Sequence, residues 1–466
     1  MTPILPANTL PAHGQSTATT YHCGTLVYSS RDLGVLFLFL FGGDFAFVFF
    51  ESIFGRYLPL VLGELNASNM LIGLMSGSFA GIVNILFLPN ISRWSDGFRS
   101  RLGRRIPFLL VASPLTVLAC LLSGFAPEIA SFLHRNVTAT WTPSVSERTL
   151  TLCVLCVSAA LYHFFNMILV NSYNWLFKDV VPDIFMARFL TWFRIVGAFG
   201  MLVFLWFVFP HIIEYRKTVF TCVGVFYLVV FTIMCWCVKE GEYPPVPKKE
   251  KTTMLRSFVG YFRECVSVPI YRNYFIVFVC VILGMSCAGA FITLFMRETL
   301  LLNMKDIGAN MTWATLAVTV MYYPVGWLCD KTSPFLVTLV SLPLYAIVSI
   351  AAMLLVENKA GMVAYWIVIA IPTVGWGLGS AATTMKLFPS AKFGQFSSGL
   401  NVFGCGALTL GNVLIGQIMD MLNSNYRFAF LWSAIFFAVA ILPMVLVLRE
   451  WKRLGGADHY NPPLPT

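Results

Sequence analysis

The chain has 466 residues, of which 58% are hydrophobic and only 11% charged, and its mean hydropathy is +0.78. Soluble domains carry about 25% charged residues, so the composition excludes a soluble protein and indicates a polytopic membrane protein. The net charge of +10 lies in short loops between apolar runs, where topology and anionic lipid explain it better than a nucleic-acid partner.

Residues 1–30 are polar with almost no charge and lack the pattern of a signal peptide. They are expected to form a disordered cytoplasmic tail. Six apolar runs follow within residues 31–238, near 33–62, 70–89, up to 125, 150–177, 189–209 and 219–238. Each is long enough to cross the hydrocarbon core. The second run is rich in small residues (Gly73, Ser76, Gly77, Ser78, Ala80, Gly81), which let helix backbones approach closely. Residues 239–272 turn polar and basic and read as a cytoplasmic linker, with an amphipathic surface helix over Met254–Cys265. Six more runs occupy 273–448, near 273–296, 310–328, 335–356, 361–384, 396–419 and 428–448. A basic cytoplasmic tail, 449–466, ends the chain. The expected fold is all-α, with twelve transmembrane helices in two six-helix halves. About two thirds of the Lys and Arg residues fall in the segments this topology places inside, which supports two cytoplasmic termini in a plasma or inner membrane.

Most of the 12 cysteines, such as Cys120 and Cys280, lie in apolar runs and read as small core residues. Cys153 and Cys156 form a CxxC without a second pair, which indicates no metal or redox site.

Between the second and third runs stands Ser95-Asp-Gly-Phe-Arg-Ser-Arg-Leu-Gly-Arg-Arg-Ile-Pro-Phe108. Asp96, Ser100, Arg101, Gly103, Arg104, Arg105, Pro107 and Phe108 of this loop resemble the signature loop of the major facilitator superfamily. The longer spacing resembles the branch of sucrose transporters and glycoside–pentoside–hexuronide cation symporters. Ser92 stands where the superfamily has glycine, and Gly97 where it has arginine. Asp330 in Gly326-Trp-Leu-Cys-Asp330-Lys331 is a short echo at the corresponding place of the second half. The resemblance implies a two-halved fold rocking about a midplane site. It also implies symport of a sugar with a proton or sodium ion, and a gating role for Asp96, Arg101, Gly103, Arg104, Arg105 and Asp330.

The residues themselves point the same way. A charge at mid-bilayer costs roughly 2.5–3.5 kcal/mol on insertion scales, so Asp44 should face an aqueous cavity. Glu51, seven residues on, returns to within about 20° of it on a helix. Carboxyl groups in dry settings can exchange protons at useful pH. Asp44, then Glu51 and His163, are therefore the expected ion-coupling residues. Arg56 is expected to snorkel to the interface. The polar side chains Asn166 and Asn171 of span four, Arg194 of span five, Trp376, and Asn401 and Asn412 of span eleven are expected to bind substrate. Amides offer both donors and acceptors to sugar hydroxyls, and an indole can stack on a sugar ring.

No Walker loop, HExxH or Gly-x-Ser-x-Gly occurs, so neither ATP-driven transport nor an enzyme is indicated. No cofactor or metal beyond the coupling ion is expected. The partners are a small polar solute and membrane lipid, and the carrier is expected to be a monomer. Two other readings stand beside this one: an exporter or facilitator of another small polar solute, and a transporter-like nutrient sensor. A sensor would be expected to carry a large cytoplasmic domain, for which the linker and tail leave no room.

Overall fold

The computed structural model describes residues 20–138, 145–242, 266–286, 290–389, 392–456 and 460–463. The first 19 residues and the linker core, 243–265 with its expected surface helix, lie outside the described residues.

Twelve helical spans are present among the described residues. In the first half they are α1 (Ser30–Glu64), α2 (Asn69–Gly97), α3 (Ile106–Gly124), α4 (Glu147–Val180), α5 (Ile184–His211) and α6 (Arg216–Cys237). In the second half α7 comes in two pieces, Pro269–Met285 and then Phe291–Leu294 running into Phe295–Thr299. It is followed by α8 (Met304–Lys331), α9 (Pro334–Leu355), α10 (Lys359–Leu387), α11 (Phe393–Met421) and α12 (Phe428–Arg453). A short helix, Ala126–Leu133, lies between α3 and α4.

Local chemistry sets these boundaries. Ser29 and Asp32 form a reciprocal capping box at the start of α1. Ser68, Ser146, Asn303 and Asn358 cap α2, α4, α8 and α10. Pro107, Pro269 and Pro334 sit in first turns, where a missing N–H costs nothing. One expectation is corrected here. Residues 21–28 are not a disordered tail but an antiparallel hairpin, β1 (Tyr21–Cys23) with β2 (Leu26–Tyr28), turning at Gly24 with φ +57°. It packs on the first half: the Tyr21 ring meets Phe185 edge-on, and Glu242 N–H donates to Thr25 Oγ1.

The halves meet along α2 and α11. The small residues of α2 make this possible. A Cβ on Gly73 would lie 2.1 Å from Asn412 O, and one on Gly81 would lie 2.2 Å from Thr409 Oγ1. Ser78 Oγ donates to Thr409 O at 2.5 Å. At the end of this seam Asp420 accepts from Asn69 N, Asn69 Nδ2 and Met70 N at 2.8, 2.9 and 3.0 Å. Tyr426 donates to Asn69 Oδ1, and Arg297 of α7 pairs with Glu64 of α1. The loop Ser95–Phe108 lies at the opposite end of the bundle.

Candidate functional site

Between the halves lies a cavity of about 790 Å³. From the first half Asp44, Val48, Glu51, Ser52, Gly55 and Arg56 line it along α1, with Arg194 and Gly197 of α5 beside them. The polar stripe expected on α1 is therefore real, and it faces the space between the halves. Across from it stand Thr293 of α7, Thr315, Thr319 and Tyr322 of α8, and Trp366 of α10.

Asp44 is 1% exposed, and its Oδ2 has no hydrogen-bond partner among the described residues. It fits because α5 offers glycine: a Cβ at Gly197 would lie 3.1 Å from Asp44 Oδ2. Arg194, one helical turn before Gly197, lines the same cavity as Asp44. Arg56 lines the cavity rather than snorkelling to an interface, which corrects the sequence expectation. The physical reason is the 35-residue length of α1, which exceeds the roughly 20 residues of a span. Depth counted along the chain then says little about which face Arg56 presents. The cavity thus holds two carboxyl and two guanidinium groups from one half. Hydroxyls and an indole face them from the other. The Trp366 Nε1–H is buried and has no partner among the described residues.

Asn166 and His163 do not line this cavity. Both line a smaller one behind Glu51. There Asn166 Nδ2 donates to Glu51 Oε1 at 3.2 Å, and His163 Nε2 lies 2.8 Å from Met75 O. Arg194 lines the main cavity, and the other expected substrate groups sit elsewhere. Asn171 donates to its own helix at Met167 O, and Asn412 donates to Leu408 O while packing on Gly73 in the seam. Trp376 is 6% exposed and packs beside Phe278. Asn401 is exposed and does not line the cavity. Sequence reasoning missed Trp366 and the α8 stripe. Thr315, Thr319 and Tyr322 recur at i, i+4 and i+7, a helical period that was available in the sequence.

The signature loop forms a network inside the first half. Arg104 grips Asp179, at the end of α4, with two hydrogen bonds of 3.0 and 2.6 Å. Arg105 reaches Ser95 Oγ, Asp96 Oδ1 and Asp179 Oδ2 at 2.6, 2.5 and 3.3 Å, and lies 4.8 Å from the Trp175 ring centre. Glu240, just after α6, accepts from the backbone N–H groups of Arg104, Arg105 and Ile106. It thereby satisfies the amides that open α3. Gly103 has φ +105° and a Glu240 side chain against it, so only glycine fits. Arg101 is exposed outside the network, and Asp330 is exposed with no hydrogen bond or ion pair among the described residues.

Twelve spans in two halves around a central charged cavity define a membrane carrier. The profile of the Major Facilitator Superfamily matches residues 40–405. The chain belongs to that superfamily and is an integral, multi-pass membrane transporter. It is 28% identical over 173 residues to a general alpha-glucoside permease of Schizosaccharomyces pombe. That alignment spans 35% of this chain and only 30% of the permease. The fold resembles a bacterial homolog of the human lysosomal transporter Spinster in its inward-facing, occupied conformation. There the TM-score is 0.67 at 11% identity, over 94% of this chain and 100% of the other. It also resembles a POT family transporter in complex with 5-aminolevulinic acid, with a TM-score of 0.66 at 12% identity over 92% and 97%.

Proposed function

We propose that this transporter carries a sugar of the glycoside type together with a monovalent cation, H⁺ or Na⁺. The observation that carries the reading is the cavity itself. Acids that can hold a cation line it from the first half, and hydroxyl and indole groups suited to a sugar line it from the second. Identity with a stretch of an alpha-glucoside permease supports the substrate class. The α1 carboxylates Asp44 and Glu51 load the cation. Arg56, Arg194, Thr315 and Trp366 contact the sugar. The halves rock about the cavity. In the conformation described, the seam through Asn69 and Asp420 is shut. With the basic loop and both termini on the cytoplasmic side, the closed end is external.

The test is uptake of maltose, sucrose and methyl glucosides into proteoliposomes of the purified protein, under imposed H⁺ or Na⁺ gradients. Accumulation above the equilibrium level with one gradient is expected. Uptake that only equilibrates under either gradient would indicate a facilitator and refute the symport reading.

A further inference from the structure

Behind Glu51, between α1, α2 and α4, is a second cavity of about 210 Å³. Glu51 lines both cavities and stands between them. The polar lining of the smaller one is Glu51, Ser76, Tyr162, His163 and Asn166. Three of its oxygens are idle: Ser76 Oγ, the Tyr162 hydroxyl and Asn166 Oδ1 are buried with no hydrogen-bond partner among the described residues. Asn166 spends its Nδ2 on Glu51, which leaves its carbonyl oxygen free.

The local fold builds this lining. Residues Leu74–Ser78 form a wide, π-type turn, in which Phe79 N–H reaches back to Leu74 O. Met75 O, within this turn, is met by His163 Nε2 at 2.8 Å. A carbonyl can only accept, so Nε2 carries the proton. His163 is thus engaged in holding the turn, and the turn carries Ser76 to the cavity wall. Such turns concentrate at functional sites. The Tyr162 ring is fixed by stacking on Phe54 at 3.7 Å.

A lining of oxygens with one carboxylate is the donor set of a hard cation. One negative charge balances one positive charge, so the cation is monovalent. A proton would need only the carboxylate and would leave the three oxygens unserved. We propose that this pocket is a sodium site, with Glu51, Asn166 Oδ1, Ser76 Oγ and the Tyr162 hydroxyl as its ligands. The inference rests on the symport reading above and names its ion. Because Glu51 also faces the main cavity, the bound cation neutralises a charge at the edge of the sugar site. That gives loading of the ion a direct route to loading of the substrate.

The experiment measures equilibrium binding of radiolabelled Na⁺ to the purified full-length protein, with K⁺ and choline as competitors. It is run beside Na⁺-gradient and pH-gradient sugar uptake in liposomes. Saturable binding of one Na⁺ per chain is expected, with affinity lowered at least tenfold in Glu51→Gln. Ser76→Ala and Tyr162→Phe keep the packing and should each weaken binding three- to tenfold, with the same ranking in Na⁺-driven uptake. Absence of saturable Na⁺ binding by folded protein means a pocket that holds water only, and overturns the site. Na⁺ binding that survives Glu51→Gln but is lost in Asp44→Asn also overturns it. Uptake driven by the pH gradient alone removes the sodium site and leaves symport standing. Na⁺ binding with the expected ranking, without gradient-driven uptake, supports the site and removes symport.

Discussion

At the Asn69 end of the molecule a group of hydrogen bonds joins one half to the other; at the Arg104 end the described bonds of the signature loop stay with the first half and the residue just after it. Asp420, Tyr426 and Arg297 of the second half reach Asn69, Met70 and Glu64 of the first. Arg104 and Arg105 reach Asp96 and Asp179 of the same half, and Glu240 at the start of the linker that follows it. In the rocking mechanism proposed above, a bond across the halves stabilises one conformation and must break in the other. A bond within a half survives both and keeps the half rigid. The two ends therefore play different parts, and substitutions should separate them.

The largest effect is expected at the seam glycines. A Cβ at Gly73 would meet backbone Asn412 O at 2.1 Å, and one at Gly416 would meet Asn69 O at 2.4 Å. Backbone cannot swing aside as a side chain can, so Gly73→Ala or Gly416→Ala must part the helices. Overpacking of this kind costs about 1–3 kcal/mol, which shifts the population roughly five- to 150-fold. Spin labels at Ser68 and Leu422 should move apart, and transport should fall with them. Unchanged label distances would show that the seam is looser than its geometry implies.

Asp420→Asn should act in the same direction but less. The side chain keeps one acceptor oxygen and loses its charge. A charge-assisted bond exceeds a neutral one by roughly 1 kcal/mol, and Asp420 is exposed, so solvent reduces the difference. A roughly two- to fivefold shift toward the open seam is expected from the same label pair.

How much of this contrast could be read in the chain depends on sequence distance. The small-residue run of α2 announced close helix packing, and the stripe Asp44–Glu51 announced a cavity, because both are periodic over a few turns. The arginines of the loop were visible for the same local reason. Their partners were not. Asp179 lies 75 residues from Arg104, and Glu240 lies 136, and nothing local marks either as a cap or an ion-pair partner. Trp366 and Trp376 both sit on α10, ten residues apart; only the packing of the halves decides that one faces the cavity and the other Phe278. The hairpin at 21–28 escaped notice because each strand has three residues. That is too short for an alternation to show.

Glu240→Gln tests the other end. Its carboxylate caps three amides at the start of α3, and loss of such a cap costs about 1 kcal/mol. A drop in thermal midpoint of about 2 °C is expected, with the Ser68–Leu422 label distance unchanged. A shift in that distance would mean that the network reaches across the halves after all.

The smallest effects should come from comparing Asp96 with its echo, Asp330. The two occupy matching places in the sequence, but only one is engaged. Asp96 accepts from Arg105 at 2.5 Å, with its side chain 55% exposed against 6% for Arg105. Asp330 is exposed and unpaired among the described residues, and its neighbour Lys331 lies 4.3 Å over the Trp327 ring instead. A half-exposed ion pair contributes up to about 1 kcal/mol, so Asp96→Asn should lower uptake by no more than roughly fivefold. Asp330→Asn removes no bond present in this conformation and should stay within about twofold. The comparison needs both variants at equal expression in the same liposome assay. If Asp330→Asn lowers uptake as much as Asp96→Asn, then Asp330 gains a partner only when the seam opens. The second half would then carry a latch that works in the opposite state, and the two loops would be alternating devices rather than one network and its remnant.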